Sequence, residues 1–95
     1  MDIGIAIKTL RKRKKISQKD LAKECNLSVN ALCNIENNIS FPQKSTISRI
    51  CEVLNIPTSY LLFFSISDDD IPNDKKAVFD SLNSTIKNLL LDSID

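Results

Sequence analysis

The stretch from residue 17 to residue 38, SQKDLAKECNLSVNALCNIENN, constrains the fold of this chain more than any other. Ser17 has the chemistry of a helix N-cap, and Asp20 follows three residues later as the acid of a short capping box. Asn26 tolerates the left-handed conformation that ends a helix, and Ser28 supplies the next N-cap. The stretch therefore predicts two short helices joined by a tight turn.

The second of these helices lacks the charged outer face of an ordinary surface helix. Leu32 and Ile35 have the spacing of an inward stripe. The outward and flanking positions carry only small, apolar or amide side chains: Val29, Asn30, Ala31, Cys33 and Asn34. This is the pattern of a helix-turn-helix motif, whose second helix enters the major groove of DNA.

The composition favours helices over a sheet. The chain has 95 residues, enough for one domain with a modest core, and it contains one glycine and three prolines. Apolar spacing predicts a first helix over residues 2–14, a fourth over residues 45–54, and a fifth from Pro57 onward. The prediction is an all-α fold, with a five-helix domain over residues 1–64.

Residues 65–73 are acidic, polar and interrupted by proline, which predicts a linker, and residues 74–95 predict a sixth, amphipathic helix. The apolar side of that helix has to be covered, either by its own domain or by a second chain. Because two-fold DNA sites need a two-fold protein, we predict a homodimer held by this helix. The dimerisation residues are predicted to be Phe79, Leu82, Ile86, Leu89 and Leu90.

Residues 5–64 resemble the helix-turn-helix domain of the phage repressor and Cro family, also called the XRE family of bacterial regulators. The motifs that carry the resemblance are IKTLRKRKKISQKDLAKE, LSVNALCNIENN, a proline at position 42, and ISRICEVLNIPTSYLL. One departure is Asn38, where the family usually has glycine, but asparagine tolerates a positive φ and the turn is expected to persist. The resemblance implies a sequence-specific transcription regulator that binds double-stranded DNA, most often a repressor on a palindromic operator.

The resemblance also implies which residues contact bases. Asn30 and Asn34 each carry an amide that pairs with adenine through two hydrogen bonds, and Val29 offers apolar contact to a thymine methyl group. An operator with A·T pairs at the contacted positions is the resulting hypothesis. The predicted base-contacting residues are Ser28, Val29, Asn30 and Asn34.

Phosphate contacts are expected around the same helix pair. Gln18 matches the glutamine that begins helix two in the family and contacts the DNA backbone, beside amides at the helix N-terminus. The predicted phosphate-contacting residues are Gln18, Lys19, Arg11, Arg13, Asn37 and Lys44. Arg11 and Glu36 also match a family pair that joins helices one and three, so Glu36 is predicted to be structural.

The net charge of +1 conceals an uneven distribution of charges. Residues 1–55 contain ten Lys or Arg and five Asp or Glu, whereas residues 56–95 contain three and seven. The first part is therefore about +5 and the second about −4. A DNA-binding domain joined to a segment with another role has this asymmetry.

Several classes of function are disfavoured. There is no histidine and there are three cysteines, so a structural metal site is not expected, and neither is a cofactor. Without a glycine-rich loop or a paired-acid motif, we do not expect an enzyme. No apolar run reaches membrane-spanning length, and the N-terminus lacks a signal-peptide pattern, so a cytoplasmic protein is expected.

One alternative to a promoter-binding repressor stays open. The helix-turn-helix scaffold also serves as a protein-interaction module or an antitoxin, and the partner in that case is unknown. The modest basic charge and the apolar Val29 give this alternative some weight.

Overall fold

The computed structural model describes residues 1–94, with side chains described for residues 1–92. Asp95, assigned above to the last helix, lies outside the described residues. The described chain is all-helical, as predicted. Its helices are α1 (Ile3–Arg13), α2 (Gln18–Glu24), α3 (Val29–Glu36), α4 (Lys44–Leu54), α5 (Thr58–Phe64) and α6 (Lys76–Ile94).

Local side-chain chemistry sets the ends of α2 and α3. The Ser17 hydroxyl accepts a hydrogen bond from the backbone N–H of Asp20 at 3.1 Å, and the Ser28 hydroxyl accepts one from Ala31 at 3.0 Å. Asn26, just beyond α2, has the left-handed φ of 60°. The two caps and the left-handed residue define the tight turn between the helices.

The core lies among α1 to α5, with α1 packed against α3 and α5 and α2 packed against α3 and α4. One close contact fixes α1 to the end of α3. A Cβ atom on Gly4 would lie less than 3.0 Å from the carbonyl oxygens of Ile35 and Glu36. The Gly4 backbone N–H donates to Asn38 Oδ1 at 3.0 Å, and Asn38 has a φ of 58°. Asparagine therefore forms the turn in which the family usually has glycine, and it adds a bond to α1.

The segment between α5 and α6 begins inside the packed domain. Ser65 is fully buried, and its carbonyl accepts the backbone N–H of Asp2 at 2.7 Å. Two 3₁₀ turns follow, Asp68–Asp70 and Asn73–Lys75, and the second leads directly into α6. Residues 65–73 are therefore partly structured rather than an extended spacer.

The described part of α6 turns only some of its apolar side chains away from the domain. Leu91 packs against the core, and Asn83 and Lys87 line the same side. Phe79 and Leu90, which sequence analysis placed on the dimerisation face, are half-buried. The exposed apolar residues, which we call the outer stripe, are Val78, Leu82, Ile86 and Leu89. No helix within residues 1–94 is long and apolar enough to cross a membrane.

Candidate nucleic-acid interface

The exposed side of α3 presents the residues that sequence analysis assigned to base contact. Leu32, Ile35 and Glu36 of the same helix are buried, which fixes the rotation of the helix on the domain. The outward residues are therefore held in place by packing on the opposite side. Val29, Asn30 and Asn34 are exposed, and Val29 is 47% accessible.

The amide groups of Asn30 and Asn34 make no side-chain hydrogen bond within the described chain, so their donors and acceptors face solvent. The backbone carbonyl of Asn34 accepts the N–H of Ile39 at 2.9 Å and that of Ser40 at 3.3 Å, which closes the end of α3. Ser28 uses its hydroxyl as an N-cap while remaining exposed.

A buried ion pair ties α3 to α1. Arg11 Nε donates to Glu36 Oε2 at 2.7 Å, and Arg11 Nη2 donates to Glu36 Oε1 at 3.0 Å. The side chains of Arg11 and Glu36 are only 9% and 1% exposed. Arg11 Nη1 also donates to the carbonyl of Ile16 at 3.0 Å, beyond the end of α1. The structure thus contains the pair that the resemblance implied.

This geometry disagrees with the expectation that Arg11 also contacts a phosphate. Its guanidinium is buried and donates to Glu36 and to the Ile16 carbonyl. If the Arg11 guanidinium moved to a DNA phosphate, the Glu36 carboxylate would remain in the interior without a counter-charge, which is energetically costly. Arg11 is therefore a structural residue here.

Gln18 connects α2 to the same ion pair. Its Nε2 donates to Glu36 Oε1 at 3.1 Å, a bond that the sequence did not predict. The side chain is half-buried, and a second N–H of the amide and the carbonyl oxygen remain for another partner. Glu36 thus accepts hydrogen bonds from both α1 and α2, and the three helices meet at its carboxylate.

The remaining predicted phosphate contacts lie on the surface. Lys19 is the second residue of α2, Lys44 begins α4, and Arg13 ends α1, and all three are exposed. Asn37 is the C-cap of α3, and its Nδ2 donates to Cys33 Sγ at 3.4 Å. The i,i+4 spacing of residues 33 and 37 is the sequence signal for this contact, which sequence analysis missed.

The three cysteines are free thiols in separate places. Cys25 and Cys51 are buried, and burial raises the pKa of both thiols. Cys33 is half-buried on α3. Among the described residues no group of three cysteine or acidic side chains is placed to hold a metal ion.

Comparison with known proteins shows the family of this chain. The sequence model of the helix-turn-helix family matches residues 7–61, which contain all of α2, α3 and α4. The chain belongs to this family, and its helix-turn-helix domain is of the XRE type. Members of the family are DNA-binding transcription regulators and are in general not enzymes.

Curated relatives are regulators of Bacillus and its phages. The helix-turn-helix protein is 31% identical over 86 residues to the HTH-type transcriptional regulator ImmR of Bacillus subtilis strain 168, covering 90% of this chain and 63% of ImmR. It is 30% identical over 81 residues to the immunity repressor protein of Bacillus phage phi105, covering 85% of this chain and 54% of that protein. The chain thus spans less than two thirds of the length of both relatives.

Proposed function

We propose that this protein is a sequence-specific DNA-binding transcription regulator that inserts α3 into the major groove. The observation that carries the proposal is the position of α3. Its inner side is buried and held by Arg11 and Glu36, while Asn30 and Asn34 project outward with open amides. A helix presented in this way matches the width of the major groove, and amides at its surface can read base edges.

Base readout in this proposal comes from three side chains. Asn30 and Asn34 pair with adenine through their amides, and Val29 contacts a thymine methyl group, with Ser28 beside them. The exposed amides on the uncharged outer surface of α3 support this assignment, because amides pair with adenine, whereas guanine is most often contacted by Arg or Lys. The operator is expected to carry A·T pairs at the positions nearest α3.

Phosphate contacts position the helix. The candidates come from the ends of four helices, and all except the half-buried Gln18 are exposed: Arg13, Gln18, Lys19, Asn37 and Lys44. Residues 1–55, which contain all of these side chains, have the positive excess of about +5 that attracts a polyanion. Contacts of this kind set affinity and register but carry no sequence information.

We further propose that the regulator is a homodimeric repressor on a palindromic operator. The outer stripe of α6 supports a second copy as a partner, because exposed apolar side chains at helical spacing mark an association surface. One relative supports repression, since it is named an immunity repressor, and the other supports transcription regulation without giving its sign.

Selection from a pool of random DNA duplexes at near-physiological salt tests this function. The expected result is a two-fold motif with A·T pairs at the contacted positions. Asn30→Ala should lose part of the motif, whereas Ser48→Ala, an exposed α4 residue, serves as the matched control and should select the same motif. Failure to enrich any motif with folded protein would contradict the proposal and favour a scaffold that binds another protein.

A further inference from the structure

An apolar hollow continues the outer stripe at the N-terminal end of α6. The hollow has a volume of about 470 Å³. Ile71 and Pro72 line it from the segment before α6, and Val78 and Phe79 line it from the first turn of the helix. Val78 also belongs to the outer stripe, so the two features are continuous. We call this space the α6 hollow.

Helical spacing places the outer stripe and the α6 hollow on the same side of the helix. Val78, Leu82, Ile86 and Leu89 follow one another at intervals of three or four residues, which is the repeat of one helix face. Residues 83, 87 and 91 form a separate row at intervals of four, and that row lines the space between α6 and α1. A partner that lies on the outer stripe can therefore also fill the α6 hollow.

The outer stripe alone offers too little apolar surface for a stable dimer. Its four side chains are between 38% and 68% exposed, so each removes roughly 60 Å² from water, and two copies bury roughly 500 Å². A specific interface of about 1,200 Å², with somewhat more than half of its area apolar, needs roughly 700 Å². Covering Ile71, Pro72 and Phe79 as well raises the apolar area to roughly 800 Å². A homodimer therefore needs the hollow in addition to the stripe.

The two ends of the outer stripe have complementary shapes. Leu89 is the most exposed side chain of the stripe, at 68%, and it lies 11 residues beyond Val78, or about 16 Å along the helix. One end of the face thus has a hollow and the other end has a projecting side chain. Antiparallel helices related by a two-fold axis bring each projection to the hollow of the other copy. Parallel helices would place hollow against hollow.

Charges beside the two ends of the stripe favour the same orientation. Lys75 lines the α6 hollow one turn before Val78, and Asp92 lies one turn beyond Leu89; both charged residues are exposed. Antiparallel helices bring the lysine of one copy and the aspartate of the other to the same end of the pair. Parallel helices would bring like charges together, which is unfavourable. Because an exposed pair adds little affinity, its effect is on orientation.

We propose that two copies of this chain pair through antiparallel α6 helices, with Leu89 of each copy seated in the α6 hollow of the other. Each copy supplies one hollow and one projecting leucine, as a self-complementary two-fold interface requires. This inference rests on the proposed homodimer and deepens it, because it gives the orientation of the two helices and the surface that each stripe contacts.

Disulfide trapping in the full chain tests the orientation. In a Cys33→Ser background, chains of different mass carry either Val78→Cys or Leu89→Cys, both at exposed positions. The two chains are mixed under reducing conditions, so that subunits exchange, and are then oxidised mildly. The expected disulfide-linked product has mixed mass. Val78→Cys mixed with Ile39→Cys is the control, because Ile39 is exposed but lies in the loop after α3. A mixed product no more abundant than in that control would overturn the antiparallel contact.

Sedimentation equilibrium tests the contribution of the α6 hollow to the dimer dissociation constant. Ile71→Lys and Leu89→Lys should each raise this constant at least tenfold, and circular dichroism checks that both variants fold. Ile39→Lys is the matched control and should leave the constant unchanged. Because Ile71 is half-buried, the trapping experiment provides the test of the contact if Ile71→Lys does not fold.

The outcomes separate this inference from the homodimer and from DNA binding. If disulfides join only chains of equal mass, the helices are parallel, so the homodimer stands and the antiparallel contact is overturned. If Leu89→Lys weakens the dimer and folded Ile71→Lys does not, the contribution of the hollow is overturned. If the wild-type chain stays monomeric at concentrations that saturate its DNA site, the homodimer fails together with this inference, while DNA binding stands.

Discussion

Arg11 and Glu36 form a two-bond ion pair that joins α1 to α3, with Nε–Oε2 and Nη2–Oε1 distances of 2.7 and 3.0 Å. Both side chains are buried, and Gln18 of α2 donates to the same carboxylate. The orientation of α3 thus depends on one acidic group that joins it to both α1 and α2. A buried charge of this kind has a testable consequence.

Glu36→Gln should lower the free energy of unfolding by about 3–5 kcal/mol, because it leaves the Arg11 guanidinium buried without a counter-charge. Urea unfolding measures this loss. Glu52→Gln is the matched control, since Glu52 pairs with Arg49 on the surface, and its loss should be at most about 1 kcal/mol. The double change Arg11→Met with Glu36→Leu should be less destabilising than Glu36→Gln. Equal losses for Glu36→Gln and Glu52→Gln would contradict a structural role for the buried pair.

Gly4→Ala should destabilise the domain by about 1–3 kcal/mol, because the added methyl group would clash with backbone carbonyls at the end of α3. The usual preference of helices for alanine over glycine would predict the opposite sign. Thermal unfolding distinguishes destabilisation by the clash from stabilisation by helix propensity. Thr9→Ala, an exposed change in the same helix, controls for helix propensity and should be close to neutral. A stabilised Gly4→Ala variant would show that α1 and α3 can separate without cost.

Local rules predicted the helix-turn-helix because its signals lie within a few residues of each other. Ser17 and Ser28 cap their helices through backbone groups three residues away, and Asn26 ends α2 with its left-handed φ. The prediction of the Arg11–Glu36 pair came from the family resemblance, because no local rule connects residues that are 25 positions apart.

Features that depend on tertiary distances could not be predicted from the sequence. The bond from Gln18 to Glu36 requires the relative positions of α2 and α3, which no spacing rule gives. Likewise, the apolar pattern of α6 predicted an association face, but it could not give the direction of that face. The structure turns Leu82 and Leu89 outward and leaves Asn83 facing the domain, because Leu91 anchors the opposite side of the helix.

Asn38 and Asn55 provide a comparison of two left-handed residues, with φ values of 58° and 56°. Asn38→Gly should lower the free energy of unfolding by about 1 kcal/mol, because it removes the side-chain oxygen Oδ1, which accepts the Gly4 N–H at 3.0 Å. Asn55→Gly loses no such bond and relieves the strain of a left-handed residue, so it should be neutral or stabilise by a few tenths of a kcal/mol. Thermal or urea unfolding of both variants checks the difference. Equal effects would mean that the bond to Gly4 contributes nothing.

The thiols should react in a fixed order. Burial raises the pKa of Cys25 and of Cys51, so a thiol reagent added to the native protein should modify Cys33 first and the other two only on unfolding. Mass spectrometry of digested samples measures the order.

The same shifts give the sign of a pH effect. Well below the ordinary thiol pKa of 9.0, both thiols are protonated in the folded and in the unfolded protein. As the pH rises through 9.0, the thiols of the unfolded protein ionise before those of the folded protein. The free energy of unfolding should therefore fall as the pH rises above about 9. Cys25→Ala should weaken this pH dependence. An unchanged dependence would show that the Cys25 thiol does not contribute to it.

Asn34 and Lys44 should differ in how they affect DNA binding, once the selected operator is known. Asn34→Ala should cost about 1–3 kcal/mol on that operator and relax the preference at one base pair, because the lost amide reads a base edge. Lys44→Gln should weaken binding to all sequences alike and reduce the salt slope by about one, because a phosphate contact releases counterions without reading sequence. Titrations of the operator and of a one-base variant at several salt concentrations measure both quantities. Lys75→Gln, an exposed cation just before α6, is the control and should change neither. If Asn34→Ala weakened every sequence equally, Asn34 would be a backbone contact, and the specificity of this protein would have to come from Val29 and Asn30.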